Sequence, residues 1–199
     1  HGAHFDEVWA INGVGSVIYH DRVFMMDPPG RFLDTDDAGG QTDGVTQILL
    51  NGETPIYTCM LDDRCRNLVE YPINEILEEF NCCYINNTVA YAIAFALWNK
   101  VSTLKLFGID FSYKGNLHFA ESGRACCEFW LSKAMHLGVE VEVAKTSALL
   151  DTDVIAEEKL YGYHRLQDPL VIMSNGEGFM TSMKRSEAIA MQEQEQERE

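Results

Sequence analysis

The densest group of chemistry-bearing side chains in this 199-residue chain lies at residues 107–124. Phe107-Gly108-Ile109-Asp110-Phe111-Ser112-Tyr113 is followed by His118, Glu121 and Arg124. A histidine beside a carboxylate can act as general acid or base near neutral pH. A guanidinium can offset the charge of a phosphate. His118 and Asp110 are therefore candidate catalytic residues and Arg124 a candidate phosphate ligand; the plain alternative is a satisfied structural histidine. Asn12-Gly13-Val14-Gly15-Ser16 can offer backbone N–H groups and a hydroxyl to a phosphate or ribose, with Asn12, Gly13 and Ser16 as candidate ligands. The same segment also reads as a tight turn that needs glycine. Asp27, fixed by Pro28 and Pro29, is a carboxylate suited to a ribose hydroxyl or a metal, or to capping a turn. Asn87 and Thr88 precede an apolar run and can serve an anion at a helix start, or simply cap it. Tyr161, Tyr163 and His164, with Arg165, suit contact with a sugar or phosphate, or a surface loop.

One acidic pattern bears on metals. Asp34-Thr35-Asp36-Asp37 has the D-x-D form of hard oxygen ligands for Mg²⁺ or Mn²⁺, so Asp34 and Asp36 are candidate metal ligands. In a chain with 31 acidic residues such patterns also arise as solvated loops. The six cysteines, at 59, 65, 82, 83, 126 and 127, include two adjacent pairs and no Cys-x-x-Cys, so they read as reduced thiols rather than a zinc site or disulfide framework.

These residues need elements to hold them. Residues 8–11, 22–26 and 55–59 are short β-branched or aromatic runs ending in turn signals, which predicts strands. Residues 104–111 predict a central strand, and 139–143 alternate as a half-exposed strand does. Helices are expected at 73–80, 88–100 and 122–136. The second carries an apolar face of Val89, Ile93, Ala96 and Leu97 with Thr88 as its cap, and Gly138 ends the third. Residues 30–44, rich in Asp and Gly, read as a loop, and 168–173 as a last strand or extended segment. Strands alternating with helices predict an α/β fold: a mostly parallel sheet with helices on both faces, Rossmann-like, in a single domain over 1–181. The polar residues 182–199 read as a frayed or disordered tail. In such sheets the ligand sits beyond the carboxyl ends of the strands, where Asn12, Asp27 and Asp110 fall.

Composition narrows the classes. A hydrophobic fraction of 46% with 23% charged residues fits a folded globular domain and excludes a disordered or fibrous chain. A net charge of −16 argues against binding duplex nucleic acid or an anionic membrane. No apolar run reaches the ~20 residues of a membrane span, and no signal segment is visible, so a cytoplasmic location is expected. Exposed strand edges and the Trp and Tyr content allow a homodimer.

The order of pieces resembles a Rossmann-like superfamily. A strand ends in Asn12-Gly13, the next in Asp27-Pro28, Asn87-Thr88 opens a helix, and Gly108-Ile109-Asp110 is followed by His118. This order, over residues 7–150, is similar to that of archaeal MptE-like 6-hydroxymethylpterin diphosphokinases and bacterial Cst-type sialyltransferases. The resemblance implies a nucleotide or nucleotide-sugar donor at the strand ends, and transfer of a glycosyl or diphosphoryl group. The family's opening strand with its Gly-Pro-Ser turn has no counterpart here; either it lies upstream or is lost, or Asn12–Ser16 stands in for it. The function expected is thus a nucleotide-dependent transferase. The alternative is a non-catalytic nucleotide- or metabolite-binding or interaction module, of the accessory kind that phages encode.

Overall fold

A computed structural model describes residues 5–36, 38–111, 116–155, 159–160, 168, 170–174 and 180–196. The chain is a mixed α/β protein built on a parallel sheet of four strands. These are β1 (Trp9–Ile11), β2 (Arg22–Phe24), β3 (Ile56–Thr58) and β4 (Leu68–Glu70), in the spatial order β1-β2-β3-β4. Trp9 pairs with Arg22, Val23 with Ile56, and Ile56 with Leu68. Parallel neighbours need a crossover. A 3-10 turn at Asn12–Ser16 begins the first crossover. Helices α1 (Gly30–Leu33) and α2 (Thr42–Asn51) supply the second, and the segment 59–67 the third.

After β4 come α3 (Ile73–Phe80), α4 (Thr88–Trp98), β5 (Thr103–Leu106), α5 (Leu117–His136) and β6 (Glu140–Val143). Strands β5 and β6 form a separate parallel pair, joined through α5. An antiparallel hairpin of β7 (Leu170–Ser174) and β8 (Met180–Lys184) follows, then helix α6 (Arg185–Gln196).

Side chains alternate along a strand, and here the alternation divides them between two cores. Ala10, Val23, Met25 and Ile56 join Phe32 of α1 and Val45 and Leu49 of α2. Trp9, Ile11, Phe24 and Tyr57 join α4, and through it Trp130 and Leu131 of α5. Phe95 of α4 is the hinge of that second core, with ring contacts to Trp9, Phe24, Tyr57 and Tyr71 at 4.7–6.0 Å.

Several expectations are corrected. Residues 30–44 are not a loop: they hold α1 and the start of α2, whose Val45, Ile48 and Leu49 have helical spacing. Helix α4 has no single apolar face. Ala90 and all of Ala92 to Leu97 are buried, because the sheet takes one side and α5 the other. Its cap is Asn87, which accepts a hydrogen bond from Ala90 N at 3.0 Å, and not Thr88. The strand expected at 104–111 is shorter and pairs with β6 rather than lying centrally in the larger sheet. Helix α5 begins at Leu117, capped by Asn116, so His118 lies in a helical first turn instead of a loop. Strand β4 and hairpin strand β8 were not expected; the polar tail, read as a frayed helix or disorder, is helical over Arg185–Gln196. No helix among the described residues is long and apolar enough to cross a membrane.

Candidate functional site

Two concavities lie among the residues singled out above. The larger, about 300 Å³, opens just beyond the carboxyl end of β1. One wall is Gly13, Val14, Ser16 and Val17; the other is Gly40, Gln41 and Gly44 at the start of α2. The turn begins with Asn12 in the left-handed region, φ 47°, a conformation that asparagine tolerates better than most residues. Its glycines serve contact with α2. A Cβ on Gly13 would lie 3.3 Å from the Gln41 side chain, and one on Gly15 would lie 3.1 Å from Val23 and 3.2 Å from Ile48. Gly44 answers from the helix, where a Cβ would meet Ser16 Oγ at 2.6 Å. The Ser16 hydroxyl donates to the Gly13 carbonyl at 2.7 Å, which fixes it while leaving its lone pairs able to accept. Beside the cleft, Asn12 Oδ1 and Thr42 Oγ1 are buried with no hydrogen-bond partner, which is uncommon for buried polar atoms.

The smaller concavity, about 120 Å³, is lined by Asn86, Asn87, Phe111, Phe119, Ser122 and Gly123, where α4 and α5 begin. Asn87 is fully engaged. Its Oδ1 caps α4 and accepts from Cys127 Sγ at 3.3 Å; its Nδ2 donates to Asn86 Oδ1 at 2.9 Å and Gly123 O at 3.2 Å. Asn87 thus ties α4 to α5. Thr88 follows it, half-buried in the first turn of α4. Burial pushes the Cys127 thiol up to about 12, so it is no nucleophile at neutral pH.

His118 is exposed in the first turn of α5, and Asp110 is exposed beyond β5. They flank the smaller cavity along the chain. Arg124 faces another way: it meets Glu121 at 3.2 Å, Asp151 at 3.1 Å, Glu128 at 3.9 Å and the Ala148 carbonyl at 3.3 Å. Three carboxylates around one guanidinium leave little positive potential for a phosphate. Asp27 pairs with Arg31 at 2.6 Å, one helical turn on. Asp34 is held by both terminal nitrogens of Arg64, at 2.6 and 3.0 Å, and Arg64 also binds Asp62. The Arg64 guanidinium keeps the Asp34 carboxyl below its ordinary range and takes Asp62 down to about 2. Asp36 is exposed. Among the described residues, no three His, Cys, Asp or Glu groups are placed to hold a metal ion. Tyr161, Tyr163 and His164 lie outside the described residues.

The structure therefore gathers Asn12, Gly13 and Ser16 at one cleft and Asn87 at the other, with His118 close by in sequence on α5. It ties Asp27, Asp34 and Arg124 into ion pairs. The sequence reading missed Gly40, Gln41 and Gly44, which face Asn12–Ser16 from a segment read as loop. It also missed Ser122 and Gly123, and it read Asn86 and Phe119 only as members of the groups around Asn87 and His118. No family model, curated protein or solved structure matches the chain.

Proposed function

We propose that the chain is a Rossmann-like domain, with helices on both faces of its sheet, that binds a nucleotide-activated donor and transfers its glycosyl or diphosphoryl group. The observation that carries this reading is the 300 Å³ cleft between the Asn12–Ser16 turn and the start of α2, at the carboxyl edge of a parallel strand. Ligands of open α/β sheets bind outside the carboxyl ends of the strands; here the cleft lies outside that end of the edge strand β1. The cleft has the size for a nucleoside, and its walls carry glycine backbone, the Ser16 hydroxyl and the Gln41 amide without a charged side chain.

His118 acts as general base in this reading. It takes the proton of an acceptor hydroxyl while the acceptor oxygen bonds to the donor's anomeric carbon or phosphorus. The bond to the nucleotide breaks, and its electron pair leaves with the nucleotide phosphate. Asp110 orients the imidazole or the acceptor. Thr88 stays a candidate ligand, as do Tyr161, Tyr163 and His164. Arg124 would have to exchange carboxylates for phosphate. A Mg²⁺ or Mn²⁺ ion at Asp34 and Asp36 would have to displace Arg64, so the donor set fits a metal poorly as it stands and no step is routed through one.

The ion-paired state of Arg124 favours a second reading, a module that binds the nucleotide without turnover. A thermal-shift panel with CMP, CTP, UDP, GTP and ATP, each with and without Mg²⁺ or Mn²⁺, tests both. A ligand at a hundredfold its Kd adds about 2.7 kcal/mol, which raises Tm by about 5–10 °C in a chain of this size. A base-selective shift supports donor binding, and no shift with any nucleotide sinks both readings. His118→Ala is expected to keep the shift and lose turnover; retained turnover removes His118 from the mechanism.

A further inference from the structure

We propose that the cavity between the starts of α4 and α5 is a subsite for a neutral, polyhydroxylated ring, a carbohydrate-type group. Calling that group the acceptor rests on the transferase reading; the chemistry of the subsite does not.

Its lining combines two surfaces. One is polar and already ordered: Asn86 Nδ2 donates to Ser122 O at 3.2 Å and to Ser122 Oγ at 3.1 Å, while Asn87 Nδ2 donates to Asn86 Oδ1 at 2.9 Å. Ser122 Oγ accepts in this chain and keeps its own proton to donate. The other surface is aromatic. Phe111 packs against Gly123, where a Cβ would lie 2.8 Å from its ring, and the Phe119 ring at the mouth is 53% exposed. A sugar ring has the matching pair of surfaces, apolar C–H faces and a hydroxyl edge.

Charge and size narrow the class. The six lining residues carry no charge in a chain of net −16. Among the described residues that line it, a phosphate finds no cation and an ammonium no carboxylate. At about 120 Å³ the cavity is too small for a nucleotide and takes one ring, partly seated, with its remaining hydroxyls in water. His118, four residues before Ser122 on α5, lies on the same face of that helix and at the same end. A hydroxyl of the seated ring would then lie at the end of α5 that carries the proposed base.

The test is saturation-transfer NMR on the full chain with a panel of methyl glycosides, with cyclohexanol as an apolar ring control and phenol as an aromatic one. Phe119→Ala and Ser122→Ala are the variants; Phe119 is exposed and Ser122 lies within the helix, and an unchanged Tm certifies the fold of each. Transfer to the ring protons of at least one glycoside, weakened about tenfold in affinity by Phe119→Ala, supports the subsite. No transfer to any glycoside, or transfer unchanged in both variants, overturns it. Transfer to phenol alone also overturns it, in favour of a flat aromatic ligand. The nucleotide thermal shift separates the two readings. A nucleotide shift without glycoside binding overturns the subsite alone; glycoside binding without a nucleotide shift upholds the subsite and removes the transferase.

Discussion

Arg22 is bound to Glu7 through two contacts, at 2.6 and 2.8 Å, and donates to the Tyr57 hydroxyl at 2.7 Å. Its guanidinium also lies over the rings of Trp9, Tyr57 and Phe95, at 5.8–5.9 Å from their centroids. The pairing with Arg22 holds the Glu7 carboxyl below its ordinary range. A surface ion pair is usually worth under about 1 kcal/mol. Here the guanidinium side chain is only 28% exposed and stacks on three rings, which adds a cation–π contribution and strengthens the hydrogen bonds. Arg22→Ala is therefore expected to cost about 2–3 kcal/mol, a fall in Tm of roughly 5–10 °C. A loss within about 1 °C would show that the pair behaves as an ordinary surface contact. Nothing in the sequence announces this cluster. Glu7, Arg22 and Tyr57 come from separate strands or their approaches, and only the parallel register of β1, β2 and β3 brings them together. Asn12, Gly13 and Ser16 were legible because a glycine turn after a β-branched run marks a strand end on local grounds alone. Asp34 misled for the converse reason: its residue type suits a metal, but the partner that occupies it, Arg64, is 30 residues away; Arg124 has one such distant partner, Asp151, 27 residues away, beside Glu121 and Glu128 on its own helix.

At the scale of elements, legibility followed local periodicity. Strands β1, β2, β3 and β6 and helix α3 carry it within a few residues. Helix α2 does not: Gly39, Gly40 and Gly44 mask a helix whose apolar stripe is only Val45, Ile48 and Leu49. Yet that helix end supplies half of the larger cleft. Strand β4 is three residues long and is set by pairing with β3 rather than by its own pattern. The end of α4 shows how a site residue and a structural residue can look alike. Asn87 was read as a nucleotide ligand or a cap; its cap, its tie to Gly123 and its bond from Cys127 occupy both ends of its amide. Asn87→Ala is expected to cost about 2–3 kcal/mol, the loss of a cap plus a buried partner. Asn87→Asp keeps the acceptor for Ala90 N but loses both donors, so about half of the loss should return. Chemical denaturation measures both. If instead Asn87→Ala leaves stability unchanged and removes the nucleotide thermal shift, the residue is a ligand and the latch account fails.

For the whole molecule, charge is the dominant long-range term. Carboxylates outnumber Lys and Arg by 16. Among the described residues, Arg22, Arg31, Arg64, Lys105 and Arg124 already face acidic partners, and Arg64 and Arg124 face more than one each. Salt weakens those pairs, but it also weakens the repulsion among the surplus carboxylates, and the surplus decides the sign. Two like charges about 10 Å apart in water repel by roughly 0.4 kcal/mol, and the excess creates many such pairs across one small surface. At ~0.01 M salt the screening length is about 30 Å and nearly all of them act; at 0.15 M it is about 8 Å and few do. Tm is therefore expected to rise by several degrees between these two salt concentrations and then level off. A falling Tm would mean that the ion pairs outweigh the excess charge. Repeating the series with MgCl₂ at matched ionic strength turns the same measurement on the acidic loop at Asp34 and Asp36. With Arg64 holding Asp34, Mg²⁺ should stabilise the chain no more than Na⁺ does, because screening depends on ionic strength alone in the absence of a site. An extra rise with Mg²⁺ that disappears in Asp36→Asn would mean that the ion displaces Arg64, and it would restore a metal to the proposed donor site.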